Sequence, residues 1–106
     1  MARSLITLPE RVVRGESFRV RTLLQHPMES GFRVGADGRL LPRDIVRRFR
    51  CLYNGELVIE AELSPAIAAN PFIEFSVRAV DSGSLLFEWS GDNGFAQREQ
   101  RPLIVA

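Results

Sequence analysis

Apolar and polar residues alternate with a period of two along most of this chain, and helical spacing is nearly absent. Phe18, Val20, Thr22 and Leu24 alternate with Arg19, Arg21 and Leu23. Leu57, Ile59, Ala61 and Leu63 alternate with Val58, Glu60 and Glu62. Ile73, Phe75, Val77 and Ala79 are set against Glu74, Ser76 and Arg78, and Leu85, Phe87 and Trp89 against Leu86 and Glu88. Successive side chains of an extended strand point to opposite faces, so each run predicts a strand with one face on a core and one in water.

Turn residues fall between these runs. Asn54-Gly55, Asp81-Ser82-Gly83 and Asp92-Asn93-Gly94 all tolerate positive φ. The pattern predicts seven strands, at 4–8, 16–25, 44–53, 56–63, 72–80, 84–90 and 96–105. Short strands separated by frequent turns predict an all-β fold, an immunoglobulin-like antiparallel β-sandwich of about seven strands. Pro102 marks the last strand as an edge or the site of a bulge. Ser64 to Ala69 suits one helical turn. The connection from His26 to Pro42 is long, holds Gly31, Gly35 and Gly38, and has Asp37-Gly38 near its middle. It reads as a functional loop or as a protruding hairpin with Asp37-Gly38 at its tip, and the two are compatible.

Composition narrows the picture. At 106 residues the chain fits a single domain, 1–106, with no linker, repeat or low-complexity segment. An apolar fraction of 45% and a charged fraction of 25% are those of an ordinary globular protein. The net charge of +1 does not suggest a dedicated nucleic-acid binder. All 14 basic residues are arginine. No apolar run is long enough to span a bilayer, and the stretch Ser4–Leu8 is too short for the apolar region of a signal peptide.

The search for catalytic chemistry returns little. Cys51 is the only cysteine and shares a strand face with Phe49 and Tyr53, opposite Arg48 and Arg50. A small buried core residue is the simpler reading; a thiol activated by those arginines is the other. His26 is the only histidine, so a zinc site lacks its usual ligands. It either ties its loop together through a ring nitrogen bonded to backbone or faces a partner. Glu60 and Glu62 share a face with Val58 and read as a solvated surface. No glycine-rich phosphate loop opens a helix. Metal, cofactor and catalytic residues are therefore expected to be absent, which favours a binding module over an enzyme using Cys51 or His26.

Arg39, Arg43, Arg47, Arg48 and Arg50 lie close together against one acid, Asp44. A nucleic-acid surface would need more aromatic interleaving than Phe49 supplies. The cluster otherwise reads as a site for anions or an acidic partner, or as a solvated strand face.

Several segments resemble one family. His26-Pro27-Met28-Glu29-Ser30-Gly31 with Arg33 resembles the H-P-M-E-[ST]-G-x-R signature of the SoxZ family. Leu41-Pro42-Arg43-Asp44-Ile45-Val46 is similar to its following I/L-P-R-x-I-I/V stretch. Phe49 with Tyr53-Asn54-Gly55 and Ser64-Pro65-Ala66-Ile67-Ala68-Ala69-Asn70-Pro71-Phe72 resemble two further family segments. Leu86-Phe87-Glu88-Trp89 followed by Asp92-Asn93-Gly94 resembles its F-x-[WF]-x-D-x-x-G end. Order and spacing hold from about Leu8 to Val105. Ser64 departs from the histidine common at that position.

The resemblance implies a non-catalytic subunit without cofactors. It would pair with a SoxY-like protein in a heterodimer, SoxYZ, that carries thiosulfate-derived sulfur between enzymes of the periplasmic sulfur-oxidation system. The substrate would ride on a cysteine of the partner's glycine-rich arm, not on this chain. The resemblance also implies export bound to a partner that has a signal peptide, transient contact with the other enzymes of the system, and no membrane or nucleic-acid role. Candidate partner-binding residues are His26, Pro27, Met28, Glu29, Arg33 and Arg43, then Asn70, Pro71 and Phe72. Met28 and Phe72 are expected to be apolar anchors, and the arginines to engage partner carboxylates. A partner surface left open makes homodimers an expectation for the isolated chain. The competing reading is an unrelated immunoglobulin-like binding or adhesion domain.

Overall fold

The computed structural model of the chain describes residues 3–64 and 69–106. The turn expected at 64–69 lies mostly outside them. The described residues form eight strands: β1 (Arg3–Thr7), β2 (Arg11–Val12), β3 (Ser17–Gln25), β4 (Val46–Tyr53), β5 (Glu56–Glu62), β6 (Phe72–Arg78), β7 (Gly83–Gly91) and β8 (Ala96–Val105). One sheet has the order β1-β3-β6 and the other β2-β8-β7-β4-β5. All pairings are antiparallel except that of β2 with β8.

The two sheets face each other across one apolar core, as the alternation requires. Phe18, Val20 and Leu24 of β3 and Val77 of β6 meet Phe49, Cys51, Leu85, Phe87 and Trp89 of the larger sheet. Aromatic rings fill the middle. Phe49 lies 5.3 Å from Trp89 within its own sheet and 6.0 Å from Phe75 across the gap. Thr22 is buried and its hydroxyl donates to the Ile73 carbonyl at 3.1 Å, which removes the cost of placing it there.

The seven expected strands are present with ends shifted by at most two residues, and β2 is additional. It is only two residues long, too short to show a period. It exists because β8 holds it: Arg11 and Val12 run parallel to Ile104 and Val105. Over the rest of its length β8 has no second neighbour among the described residues, and Pro102 lies in that stretch, as an edge strand allows.

The connection between β3 and β4 folds as a hairpin. Glu29 and Asp44 exchange both backbone hydrogen bonds at 2.8 Å, and Val34 bridges Leu40 further out. Gly35 N–H donates to the Arg39 carbonyl and Leu41 N–H to that of Arg33, both at 2.8 Å. Asp37 and Gly38 sit at the tip. The molecule measures 57 × 20 × 19 Å. A strand of ten residues covers about 34 Å, so this ribbon supplies much of the extra length.

Candidate functional site

The site is assembled at the end of the sandwich where β3 ends and β4 begins. His26 follows β3 directly and is buried. Its Nδ1 accepts the Met28 N–H at 3.0 Å, which leaves the ring proton on Nε2. Nε2 points toward Asp44, with 3.7 Å to Oδ1, and the ring packs edge-on against Phe95 at 4.9 Å. The backbone of His26 is clamped as well: its N–H donates to Asn70 Oδ1 at 3.0 Å, and Asn70 N–H donates to its carbonyl at 2.8 Å. One histidine thus ties together the start of the hairpin, the hairpin's returning arm at Asp44, the segment before β6 and the segment before β8.

Met28 has a φ of +51°, and Asn54, Asn70 and Asn93 share that region. Asparagine visits the region readily, whereas methionine pays about 1–2 kcal/mol for it. The conformation persists because both ends of Met28 are held. Its N–H bonds to His26, and its Sδ accepts the Val46 N–H at 3.2 Å from within the core. Backbone strain of this kind concentrates at functional positions.

Charges lock the base of the hairpin from outside. Arg43 binds Asp92 with two parallel hydrogen bonds, Nε to Oδ2 at 2.9 Å and Nη2 to Oδ1 at 3.0 Å. Asp92 also accepts the Ile45 N–H at 3.3 Å, and its own N–H donates to the Ile45 carbonyl at 3.0 Å. The Arg43 guanidinium, helped by the Ile45 N–H, holds the Asp92 carboxyl below the usual carboxylate range against partial desolvation. Gly91, just before Asp92, has no room for a Cβ, which would overlap the Ile45 carbonyl. Glu29 and Arg33 pair through both carboxylate oxygens, and the hydrogen bond from Arg33 lowers the Glu29 pKa.

The candidate residues therefore converge on one end but do not all face outward. His26, Met28 and Pro71 are buried within the chain and form a base. Met28 anchors the hairpin to its own core and is 6% exposed, at the wall of the groove beside Pro27 and Glu29. Pro27, Arg33, Arg43, Asn70 and Phe72 are exposed, and Glu29 is half-buried. An open groove of about 460 Å³ runs beside Pro27, Met28, Glu29, Arg33 and Ala69. Beyond them the hairpin exposes three apolar side chains that the motif reading missed: Phe32 is 85% exposed, Leu40 62% and Val34 59%. The available signal was apolar residues inside a glycine-rich connection. Asp92 was also missed as Arg43's partner, because nothing in the order of residues joins positions 43 and 92.

The other chemical candidates resolve differently. Cys51 is fully buried, and burial pushes its thiol up to about 12. Such a thiol carries no thiolate character at neutral pH. Arg50 turns outward and binds Glu88 at 2.8 Å, and Glu88 also meets Arg98 at 3.2 Å. The described residues contain no group of three or more side chains able to hold a metal ion.

Comparison with known proteins places this geometry. The family model described as sulphur oxidation protein SoxZ matches residues 6–102. No curated protein sequence matches significantly. Among solved structures, a superoxide reductase (neelaredoxin) from Ignicoccus hospitalis superposes with a TM-score of 0.74 at 18% identity, covering 97% of this chain and 80% of that one. A putative superoxide reductase from Thermotoga maritima does so with 0.74 at 14%, covering 97% and 85%. The sulfur carrier protein SoxY from Chlorobium limicola f thiosulfatophilum gives 0.68 at 15%, covering 97% and 78%. At these identities the likeness is one of fold.

Proposed function

The chain belongs to the SoxZ family, and from that membership we propose that it is the non-catalytic subunit that binds a SoxY-like sulfur carrier. The pair would carry thiosulfate-derived sulfur between enzymes of the Sox sulfur-oxidation system. The observation that carries this reading is the family match over residues 6–102, which takes in the hairpin and every candidate site residue. It also sets aside an unrelated adhesion domain.

The geometry supports a division of labour at the hairpin end. His26, Met28, Pro71, Asp92 and Phe95 form a rigid base. Phe32, Val34 and Leu40, with Arg33 and Phe72, form the contact surface. Exposed aromatic and aliphatic residues flanked by arginine are the composition of interface centres. A rigid subunit suits a carrier with a mobile arm, because tethering sets the local concentration of the carried group at each enzyme. The buried, protonated Cys51 is in keeping with sulfur chemistry on the partner.

Co-expression of the tagged chain with a SoxY-like protein, followed by native mass spectrometry, tests the reading. A one-to-one complex is expected. Recovery of the chain without the carrier at low and at physiological salt would overturn it. As part of the same proposal the pair works in the periplasm, with this chain carried there by its partner. Cell fractionation with and without the partner's signal peptide tests that placement, and loss of periplasmic signal without it is the expected result.

A further inference from the structure

The outer face of the larger sheet contains two neighbouring rows of side chains that are filled differently. In the first, Glu60, Arg50, Glu88 and Arg98 lie side by side on β5, β4, β7 and β8, and the charges alternate. Glu88 binds both arginines, so this row is closed on itself. In the next, Glu62, Arg48, Ser90 and Ala96 hold the same positions. The place of Glu88 is taken by a serine, so Arg48 has a carboxylate neighbour on the β5 side only, Glu62, with which it forms no ion pair. The β-bulge between Val46 and Arg48 then adds a second cation, because it turns Arg47 outward beside Arg48. Neither guanidinium has an ion-pair partner among the described residues, and nor does the Ser90 hydroxyl have a hydrogen-bond partner there. Arg47, Arg48, Ser90, Gly91 and Leu63 line an open pocket of about 410 Å³, together with Glu62, the cross-strand neighbour of Arg48. Arg47 also attracts Asp92 through space and helps lower its pKa, but the hydrogen bonds to that carboxylate's two oxygens come from Arg43.

We propose that this pocket binds a small tetrahedral oxyanion of the sulfate or phosphate class, held by the Arg47 and Arg48 guanidinium groups with the Ser90 hydroxyl as a third donor. Planar guanidinium forks present several donors at once and suit anions with three or four equivalent oxygens. The bulge is what makes the site, since regular alternation would send one of two consecutive arginines to the core. Glu62 limits the charge of the pocket and keeps its affinity weak, in the range suited to exchange. The inference stands on this chain's own residues and does not depend on the carrier reading.

Backbone and arginine Nε signals in nuclear magnetic resonance spectra of the full chain provide the test. Sodium sulfate, sodium phosphate, methanesulfonate and acetate are titrated at constant ionic strength set with chloride. Saturable shifts confined to Arg47, Arg48, Ser90 and Gly91, with millimolar affinity for sulfate and phosphate, are expected. Methanesulfonate distinguishes a free anion from the same group at the end of a larger molecule: binding within threefold of sulfate points to an end group, and weaker binding to the free anion. The double variant Arg47→Gln/Arg48→Gln should weaken sulfate binding at least tenfold, Glu62→Gln should strengthen it severalfold, and Arg78→Gln should leave it unchanged. Unshifted signals from β1, β3 and β6 show that a variant is folded. Linear drift spread over all arginines, acetate binding as tightly as sulfate, or full binding in the double variant would each overturn the proposal.

Discussion

At one end of the sandwich the turns are sealed around a buried tyrosine; at the other the chain runs out into a ribbon with apolar side chains in water. At the sealed end the Tyr53 hydroxyl accepts the Val80 and Asp81 N–H groups, both at 3.1 Å, and donates to the Asp81 carbonyl. Asn54 Oδ1 accepts the Ser84 N–H at 3.0 Å, so close to Gly83 that a Cβ there would overlap it. The exposed apolar residues of this end, Val13, Leu57, Val80 and Ile104, are spread over separate strands and turns, each 51–54% exposed. At the hairpin end His26, Asn70 and Asp92 bond the backbone in the same way. The difference lies in Phe32, Val34 and Leu40, which find no core. At the first end the hydrogen bonds of Tyr53 and Asn54 account for how the turns are held. The second has a well-built base carrying the most exposed apolar side chains, Phe32, Leu40 and Val34, which the proposed function assigns to the partner.

The sharpest way to break this contrast is to make the ribbon polar. Phe32→Ser with Leu40→Ser should change stability by no more than about 0.5 kcal/mol, since both side chains are solvated already. Affinity for the SoxY-like partner should fall about 100-fold, equivalent to about 2.7 kcal/mol. Calorimetric titration of the carrier with each chain measures it. Unchanged affinity would move the interface off the hairpin.

The sealed end should show the reverse. Tyr53→Phe removes one hydroxyl and leaves two backbone N–H groups without their acceptor. A loss of about 2 kcal/mol in urea unfolding is expected. Partner affinity should stay within twofold of the wild type. A fall in affinity comparable to that of the hairpin variant would show that the two ends are not independent.

How much of this was legible depended on whether a residue's environment is set by its near neighbours. Leu85, Phe87 and Trp89 could be placed in the core because a strand's faces alternate regardless of what it pairs with. Asn54-Gly55 could be read as a turn because its φ requirement is local. The hairpin was half legible: its tip at Asp37-Gly38 could be seen, but not that Phe32 and Leu40 would stay in water. The bond of Met28 to Val46 in the core was not legible, because it depends on a residue across the hairpin. The Arg43–Asp92 pair and the parallel β2 lie beyond any local signal, since each is defined by a partner far along the chain.

Between the ends, Cys51 reports on the shared core. Its folded pKa, pushed up to about 12, lies above its ordinary value of 9.0, so its contribution is intact below pH 9.0. That contribution is lost as pH rises toward 12, because the unfolded thiol ionises first. Wild-type stability should decline in this window more steeply than that of Cys51→Ala, by at most about 1.4 kcal/mol per pH unit. Native protein should react with a thiol reagent only at the rate of unfolding. Fast reaction at neutral pH would mean that the core opens locally around β4.

The smallest expected effect tests whether the base of the ribbon belongs to the folded unit. The Asp92 pKa is depressed in the folded state, first by Arg43 and then by the Ile45 N–H. Its contribution is therefore present above the ordinary carboxyl value of 3.8 and is lost as pH falls through the lower folded value. Glu29 titrates in the same direction beside Arg33, so the acid limb holds both. Urea midpoints measured from about pH 6 to about pH 3 should fall less steeply in Asp92→Asn than in the wild type, while Glu29→Gln removes a separate part of the slope. If Asp92→Asn leaves the acid limb unchanged, the Arg43–Asp92 pair is not coupled to global unfolding. The hairpin would then open on its own, and its apolar side chains would be presented by a hinged arm. If the slope flattens, the ribbon is held by the same cooperative unit as the core, and the docking surface is rigid before any partner arrives.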